Sequence, residues 1–154
     1  MNSPWQNPDV IAQTQLIARS LKHWTGRELL AGNFPAAELA EKVFHAPFVL
    51  VSHGTELDPV LNYGNATALA LWEMLWEELT RTPSRLTAEA LNREARARLL
   101  AAVTAHGFID DYSGIRISKT GRRFRIAQAT VWNLLDERGH YAGQAARFAR
   151  WEFL

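Results

Sequence analysis

FIDDYSGIRISKTGRRFRIAQATVWNLLDERGHYAGQAARFARW, residues 108–151, is the stretch that decides the fold. It reads as three consecutive β-strands joined by two tight turns, Lys119-Thr120-Gly121 and Asp136-Glu137-Arg138-Gly139. In the middle strand Phe124, Ile126, Gln128, Thr130, Trp132 and Leu134 fall on one face, with Arg123 and Arg125 on the other. In the strand before it, Ile115 and Ile117 alternate with Arg116 and Ser118, and Gly114 is expected to mark a bulge or bend. The last strand, about 140–151, is rich in Ala and Gly, and its facing is ambiguous. Large residues seal a core, whereas small ones leave room beside it. A curved antiparallel sheet with a partly vacant face is the shape of a sensor or ligand-binding module.

Upstream of this meander the pattern turns helical. Asn7-Pro8 opens a first helix, Asn as the cap and Pro at the first helical position. Val10, Ile11, Leu16, Ile17, Leu21 and Trp24 give it an apolar face. Thr25-Gly26-Arg27-Glu28 has the capping-box pattern and predicts a second short helical turn. Pro35 starts a third helix, with Leu39, Val43 and Phe44 on one side. Such a preamble either covers an open sheet or pairs with a second copy of itself. Strands are expected at 48–52 and 60–63, separated by a turn at Gly54 and Pro59. Asn65 then caps a helix over about 66–79, and Thr87 caps a longer one over 88–105 that Gly107 ends. Leu91, Ala95, Leu99 and Val103 mark the inner face of that helix, and Glu89/Arg93 and Glu94/Arg98 pair on its wet side.

The order is helices, two strands, helices, three strands, an α+β arrangement around one antiparallel five-stranded sheet. Residues 1–45 form an N-terminal helical extension and 46–154 the core, together one structural domain. The chain is long enough for one good core and too short for two comfortable ones. It contains no Cys, so disulfides, thiolate metal sites and cysteine nucleophiles are ruled out. The opening Met1-Asn2-Ser3-Pro4-Trp5 lacks a basic segment followed by an apolar run, and no apolar run approaches the ~20 residues that span a bilayer. A cytoplasmic location without membrane association is expected. Charge is uneven, −4 over residues 1–111 and +5 over 112–154.

Four strings carry a resemblance. YGNATALALWEM (63–74), TPSRLTA (82–88), DYSGIRISKTGRRFRI (111–126) and WNLLDERGHYAGQAARF (132–148) resemble the MEKHLA domain family, which is related to PAS domains. They occur in the family's order, and the resemblance as a whole covers roughly residues 10–151. That family occurs at the C-terminus of some plant homeodomain–leucine zipper transcription factors and as short stand-alone bacterial proteins, and this chain resembles the latter. The resemblance implies a PAS-like fold with crossover helices on one sheet face, and a sensory or regulatory role. It supplies neither a ligand nor a catalytic residue.

The candidate ligand site lies between the sheet and the crossover helices. Trp72 and Trp132 would line it, near the Tyr63-Gly64-Asn65 turn that feeds the first crossover helix. Gln128, Thr130, Asn133 or Gln144 would supply polar groups in an otherwise apolar pocket. Arg85 and Arg116 either hold a carboxylate or phosphate ligand or salt-bridge Glu73, Glu77, Asp110 or Asp111. The competing reading is a fully packed core in a ligand-free interaction or dimerisation module that uses the sheet or the basic hairpin. Among partners, a small-molecule ligand, a homodimer through the N-terminal helix and an unidentified signalling protein are expected. Nucleic acid is disfavoured, because the Arg116–Arg125 cluster has no recognition helix or aromatic pair beside it.

His23, His45, His53, His106 and His140 are scattered without metal-ligand spacing, so neither haem nor any other cofactor is assigned. No enzyme is expected. Asp110 and Asp111 are adjacent strand residues facing opposite ways, and the chain has neither a nucleophile elbow nor a glycine-rich phosphate loop.

Overall fold

The computed structural model describes residues 3–88 and 93–154. After a 3-10 turn at Pro4–Gln6 come helices α1 (Pro8–Thr25) and α2 (Ala36–Phe44), then strands β1 (Val49–His53) and β2 (Leu61–Gly64). Helices α3 (Ala66–Trp72) and α4 (Trp76–Leu79), a 3-10 turn at Ser84–Thr87, and α5 (Arg93–His106) follow. The chain ends in β3 (Phe108–Ile117), β4 (Arg123–Leu135), β5 (Tyr141–Phe148) and β6 (Arg150–Phe153). The sheet is antiparallel throughout, in the order β2-β1-β5-β4-β3. β6 continues the line of β5 beyond Ala149 and pairs with the first part of β4.

Local chemistry explains most boundaries. The Asn7 side chain accepts a hydrogen bond from Asp9 N, and Pro8 occupies the first turn of α1, as expected. At the far end Gly26 takes a left-handed conformation and its N–H reaches Lys22 O. Thr25 Oγ1 accepts from Arg27 N at this stop. The predicted short helix at 25–28 is therefore absent: the hydroxyl finishes one helix instead of starting another. The predicted helix over 66–79 is broken in two, because Glu73 turns left-handed at φ 59° and is held there by Ser118 and Thr120 hydroxyls on its carboxylate. Predicted residues Glu89 and Leu91, and the expected start of α5, lie outside the described residues.

Two apolar layers flank the sheet. On one side α1 and α2 cover it, packing Ile17, Leu21 and Val43 against Leu50, Tyr63, Trp132 and Leu134. On the other, α3 brings Ala68, Leu71 and Trp72 against Val49, Phe124, Ile126, Ala129 and Phe148. The preamble therefore covers the chain's own sheet, and α1 buries Val10, Ile17 and Leu21 there.

A pair of opposed irregularities shapes the centre of the sheet. Between Ile109 and Tyr112, β3 holds one more residue than the facing stretch of β4; between Tyr112 and Gly114, β4 holds one more than β3. Asp111 (φ 66°) and Gln128 (φ 55°) occupy the left-handed region at these two bulges. The bulges cancel, so the ladder has the same register on both sides of them. Each reverses the facing of even-numbered residues. Phe124 and Ile126 face α3, whereas Trp132 and Leu134 face α1. The predicted single face of β4 is thus two half-faces on opposite sides, with Gln128 exposed between them.

Two glycines allow close approaches. Gly107 (φ +102°) ends α5 beneath the Trp24 indole, whose Nε1 donates to Asn133 O at 2.9 Å. At Gly143 (φ +123°) a Cβ would lie 2.1 Å from the His53 carbonyl oxygen. Gly143→Ala combines backbone strain with a clash against backbone, so it should destabilise the domain by about 2–3 kcal/mol. Urea unfolding will measure this; an unchanged midpoint would mean that β1 and β5 are not apposed there.

Candidate functional site

The third layer of the site is α5, which lies across the sheet on the α3 side. Arg96, Leu99, Leu100 and Val103 recur at helical spacing on its inner face, and Ala95, assigned inward from the sequence, is exposed. Val103 is fully buried, but Leu99 and Leu100 meet a cavity of about 60 Å³. That is room for about four waters or a ligand of a few heavy atoms. Trp72, Val51, Ile126, Val131, Ala146 and Phe148 give it apolar walls. Ala146 stands between Val51 and Val131 in the ladder, so a small side chain at mid-sheet leaves the space.

Polar groups converge on one part of the wall. Arg116, 8% exposed, donates to Tyr112 Oη at 3.0 Å and to Ile115 O at 3.1 Å. Arg96 reaches in from α5 and donates to Ser84 Oγ. Burial, and then the neighbouring Arg116 charge, pull the Arg96 guanidinium down to about 10, which still leaves it cationic at neutral pH. Among the described residues no carboxylate lines the cavity, and neither arginine is ion-paired.

A second polar group faces them from β1 and β5. His53 Nδ1 lies 2.9 Å from Gly54 O and must donate to it, which leaves Nε2 as a lone-pair acceptor. In the neutral ring that Nε2 is buried and has no partner, the same is true of Gln144 Oε1 beside it in the ladder, and protonation of the ring would join the two. Gln144 Nε2 lies within reach of Leu100 O (3.0 Å), Thr104 Oγ1 (2.9 Å) and Asn133 Oδ1 (3.1 Å), which fixes the amide's orientation. Asn133 Nδ2 in turn donates to Val103 O at 2.8 Å. The sheet therefore grips the C-terminal half of α5 through two buried amides.

Desolvation, the largest influence, lowers the His53 pKa from its ordinary 6.5, and the Arg96 charge adds to it. Its protonated form is therefore disfavoured in the folded state. As pH falls below 6.5 the unfolded chain takes up this proton first, so stability drops until the folded-state pKa is passed. His53→Gln should flatten that part of the profile. Thermal melts of both proteins at pH 7.5 and 5.5 will check it; equal losses in both would assign the acid sensitivity elsewhere.

The structure brings together three of the nine residues expected at the site. Trp72, Arg116 and Gln144 line the cavity. The other six stand apart. Trp132 and Tyr63 belong to the layer under α1. Asn65 is fully buried and caps α3, with its amide tied into the backbone of β1. Thr130 lies beyond the bulge and donates to Asp110 Oδ1 at 2.8 Å. Gln128 is exposed in the bulge itself. Arg85 pairs on the surface with Asp58 at 3.1 Å, and Arg116 meets Tyr112 and backbone; neither joins the acids proposed for it. Glu73 is taken by Ser118 and Thr120, and Asp110 by Arg27 and Thr130. Around the basic hairpin Lys119 pairs with Glu78, Arg125 with Glu152, and Arg122 covers the Phe153 ring. Glu94 and Arg98 pair as expected, at 3.0 Å.

Sequence reasoning missed His53, Arg96, Ser84, Thr87 and Tyr112. Arg96 had a signal, its i, i+3, i+4, i+7 spacing with Leu99, Leu100 and Val103. Among the described residues, no group of three or more His, Asp or Glu is placed to hold a metal ion, and no helix is long and apolar enough to cross a membrane.

Five antiparallel strands in this order, with helices crossing one face, define a PAS-like α+β domain. The PAS domain of a protein from Colwellia psychrerythraea superposes with a TM-score of 0.63 at 13% identity, covering 76% of this chain and 94% of that one. An RNA-binding light-oxygen-voltage receptor gives 0.65 at 14%, covering 79% and 35%. A fungal LOV domain photoreceptor gives 0.58 at 14%, covering 84% and 85%. At these identities the likeness concerns the fold. Residues 11–153 match the MEKHLA domain, and the chain belongs to that family. Homeobox-leucine zipper proteins ATHB-9 and ATHB-14 of Arabidopsis thaliana are each 24% identical over 96% of this chain. The chain spans 18% of their length.

Proposed function

We propose that this is a non-catalytic sensory domain that binds a small molecule between the sheet and α5, and signals by changing how α5 packs on the sheet. One observation carries the reading: Gln144 belongs to both parts. Its carbonyl oxygen has no partner at the cavity, and its amide nitrogen holds Leu100 and Thr104 of α5. A ligand that engages the oxygen competes with, or reinforces, the grip on the helix, which is a differential contact of the kind a population shift requires. The coupling extends through the sheet. Asn133 bonds α5 with its side chain and takes Trp24 of α1 on its backbone oxygen.

The test is native mass spectrometry of freshly purified protein beside a denatured sample, with hydrogen exchange of α5 as the second measurement. A stoichiometric mass lost on unfolding, together with slower exchange over 93–106 in the loaded fraction, is the expected result. Bare protein whose α5 exchange is unaffected by Gln144→Leu would overturn the proposal, because the helix would then be independent of the cavity wall.

A further inference from the structure

The cavity's polar groups are sorted by type, and the sorting points to a ligand. One group offers only donors and positive charge: Arg96 and Arg116, two guanidiniums close enough to repel, with no carboxylate against them among the described residues. Two cations side by side, Arg116 buried and Arg96 half-buried, are unfavourable unless an anion joins them. The other group offers only unpartnered acceptors, His53 Nε2 and Gln144 Oε1. A buried acceptor left without a hydrogen bond is unfavourable, so these two atoms call for a donor. The rest of the wall is apolar, with Val51, Val131 and Ala146 in it. Inorganic phosphate would satisfy the arginines but leave the apolar wall unused.

Resting on the ligand-binding reading above, we infer that the cavity takes a small hydroxy acid. Its carboxylate lies against Arg96 and Arg116, and its hydroxyl donates to His53 Nε2 or Gln144 Oε1. The planar guanidinium fork suits a carboxylate, and the volume of about 60 Å³ limits the acid to a few carbons.

The experiment is a thermal-shift and calorimetry series on the full chain with lactate, 3-hydroxybutyrate, butyrate, butyramide and inorganic phosphate. The hydroxy acids should raise the melting temperature most, butyrate and phosphate less so, and butyramide not at all. Arg96→Gln should weaken hydroxy-acid binding by about tenfold or more without lowering the ligand-free melting temperature, since it removes one of two like charges that face each other. Arg96→Lys should recover part of the loss, which a merely structural role would not produce. Butyramide binding as well as butyrate would overturn the inference and keep the sensory reading. The absence of any shift across the series would also overturn it. Native mass spectrometry then separates the two proposals, since a retained neutral ligand leaves the sensory reading standing and bare protein removes its support.

Discussion

Trp132→Ala should destabilise the domain by about 3–5 kcal/mol and leave the cavity beneath α5 unaltered. The indole is fully buried in the layer between α1 and the sheet, against Ile17, Leu21 and Leu134. Its Nε1 donates to Ile17 O at 3.2 Å, so the substitution removes a hydrogen bond together with the largest fully buried side chain of the protein. For a domain of this size the loss corresponds to roughly 10 °C in melting temperature. Trp132→Phe keeps most of the volume and should lose much less. Thermal melts of the two variants decide the matter. A midpoint for the alanine variant within about 2 °C of the parent would show that α1 does not close over this ring.

Asn65→Ala should be nearly as damaging, for a different reason. The side chain is fully buried and makes four hydrogen bonds to backbone. Oδ1 accepts from Leu50 N and Ala68 N, each at 3.1 Å, and Nδ2 donates to Val43 O at 3.1 Å and Phe48 O at 2.8 Å. One amide therefore fastens the end of α2, the start of β1 and the start of α3. Alanine loses the helix cap, about 0.5–2 kcal/mol, and leaves buried backbone groups unpaired at about 1–3 kcal/mol each. A total of about 3–5 kcal/mol is expected from urea unfolding.

Asn65→Asp provides the control, because it keeps both accepted bonds and turns the donors into lone pairs facing two carbonyls. The buried carboxyl would have its pKa raised in the fold. The folded state then holds the proton more tightly, and stability falls as pH rises above about 4. The aspartate variant should therefore lie closest to the parent at acidic pH. A constant gap between the two from pH 4 to 7 would mean that the side chain is not enclosed.

These two residues also show what the sequence could and could not convey. Asn65 was legible as a helix cap, because a side-chain acceptor just before an apolar run has a local cause. Its bonds to Val43 and Phe48 depend on chain segments that meet only after folding, so no spacing announces them. Trp132 was legible as interior but assigned to the wrong side. Strict alternation carried it onto the face of Phe124, and the break lies at a glutamine. Gln128 gives no hint of left-handed backbone, as a glycine or asparagine would. Of the cavity, Trp72, Arg116 and Gln144 were within reach of pattern reading. Arg96 is hidden by the apolar pattern of α5, which runs equally well through Ala95, one residue away and exposed.

The opposed bulges at Asp111 and Gln128 bear on how this domain can be inherited. Each adds one residue to its own strand, and each is compensated only by the other. Losing one alone would throw half of the β3–β4 ladder out of step, whereas losing both would restore an unbroken pairing with every interior side chain still on its present side. Ancestral gain or loss of either is therefore viable only jointly. Members of the family should carry the two insertions as a linked pair or lack them together.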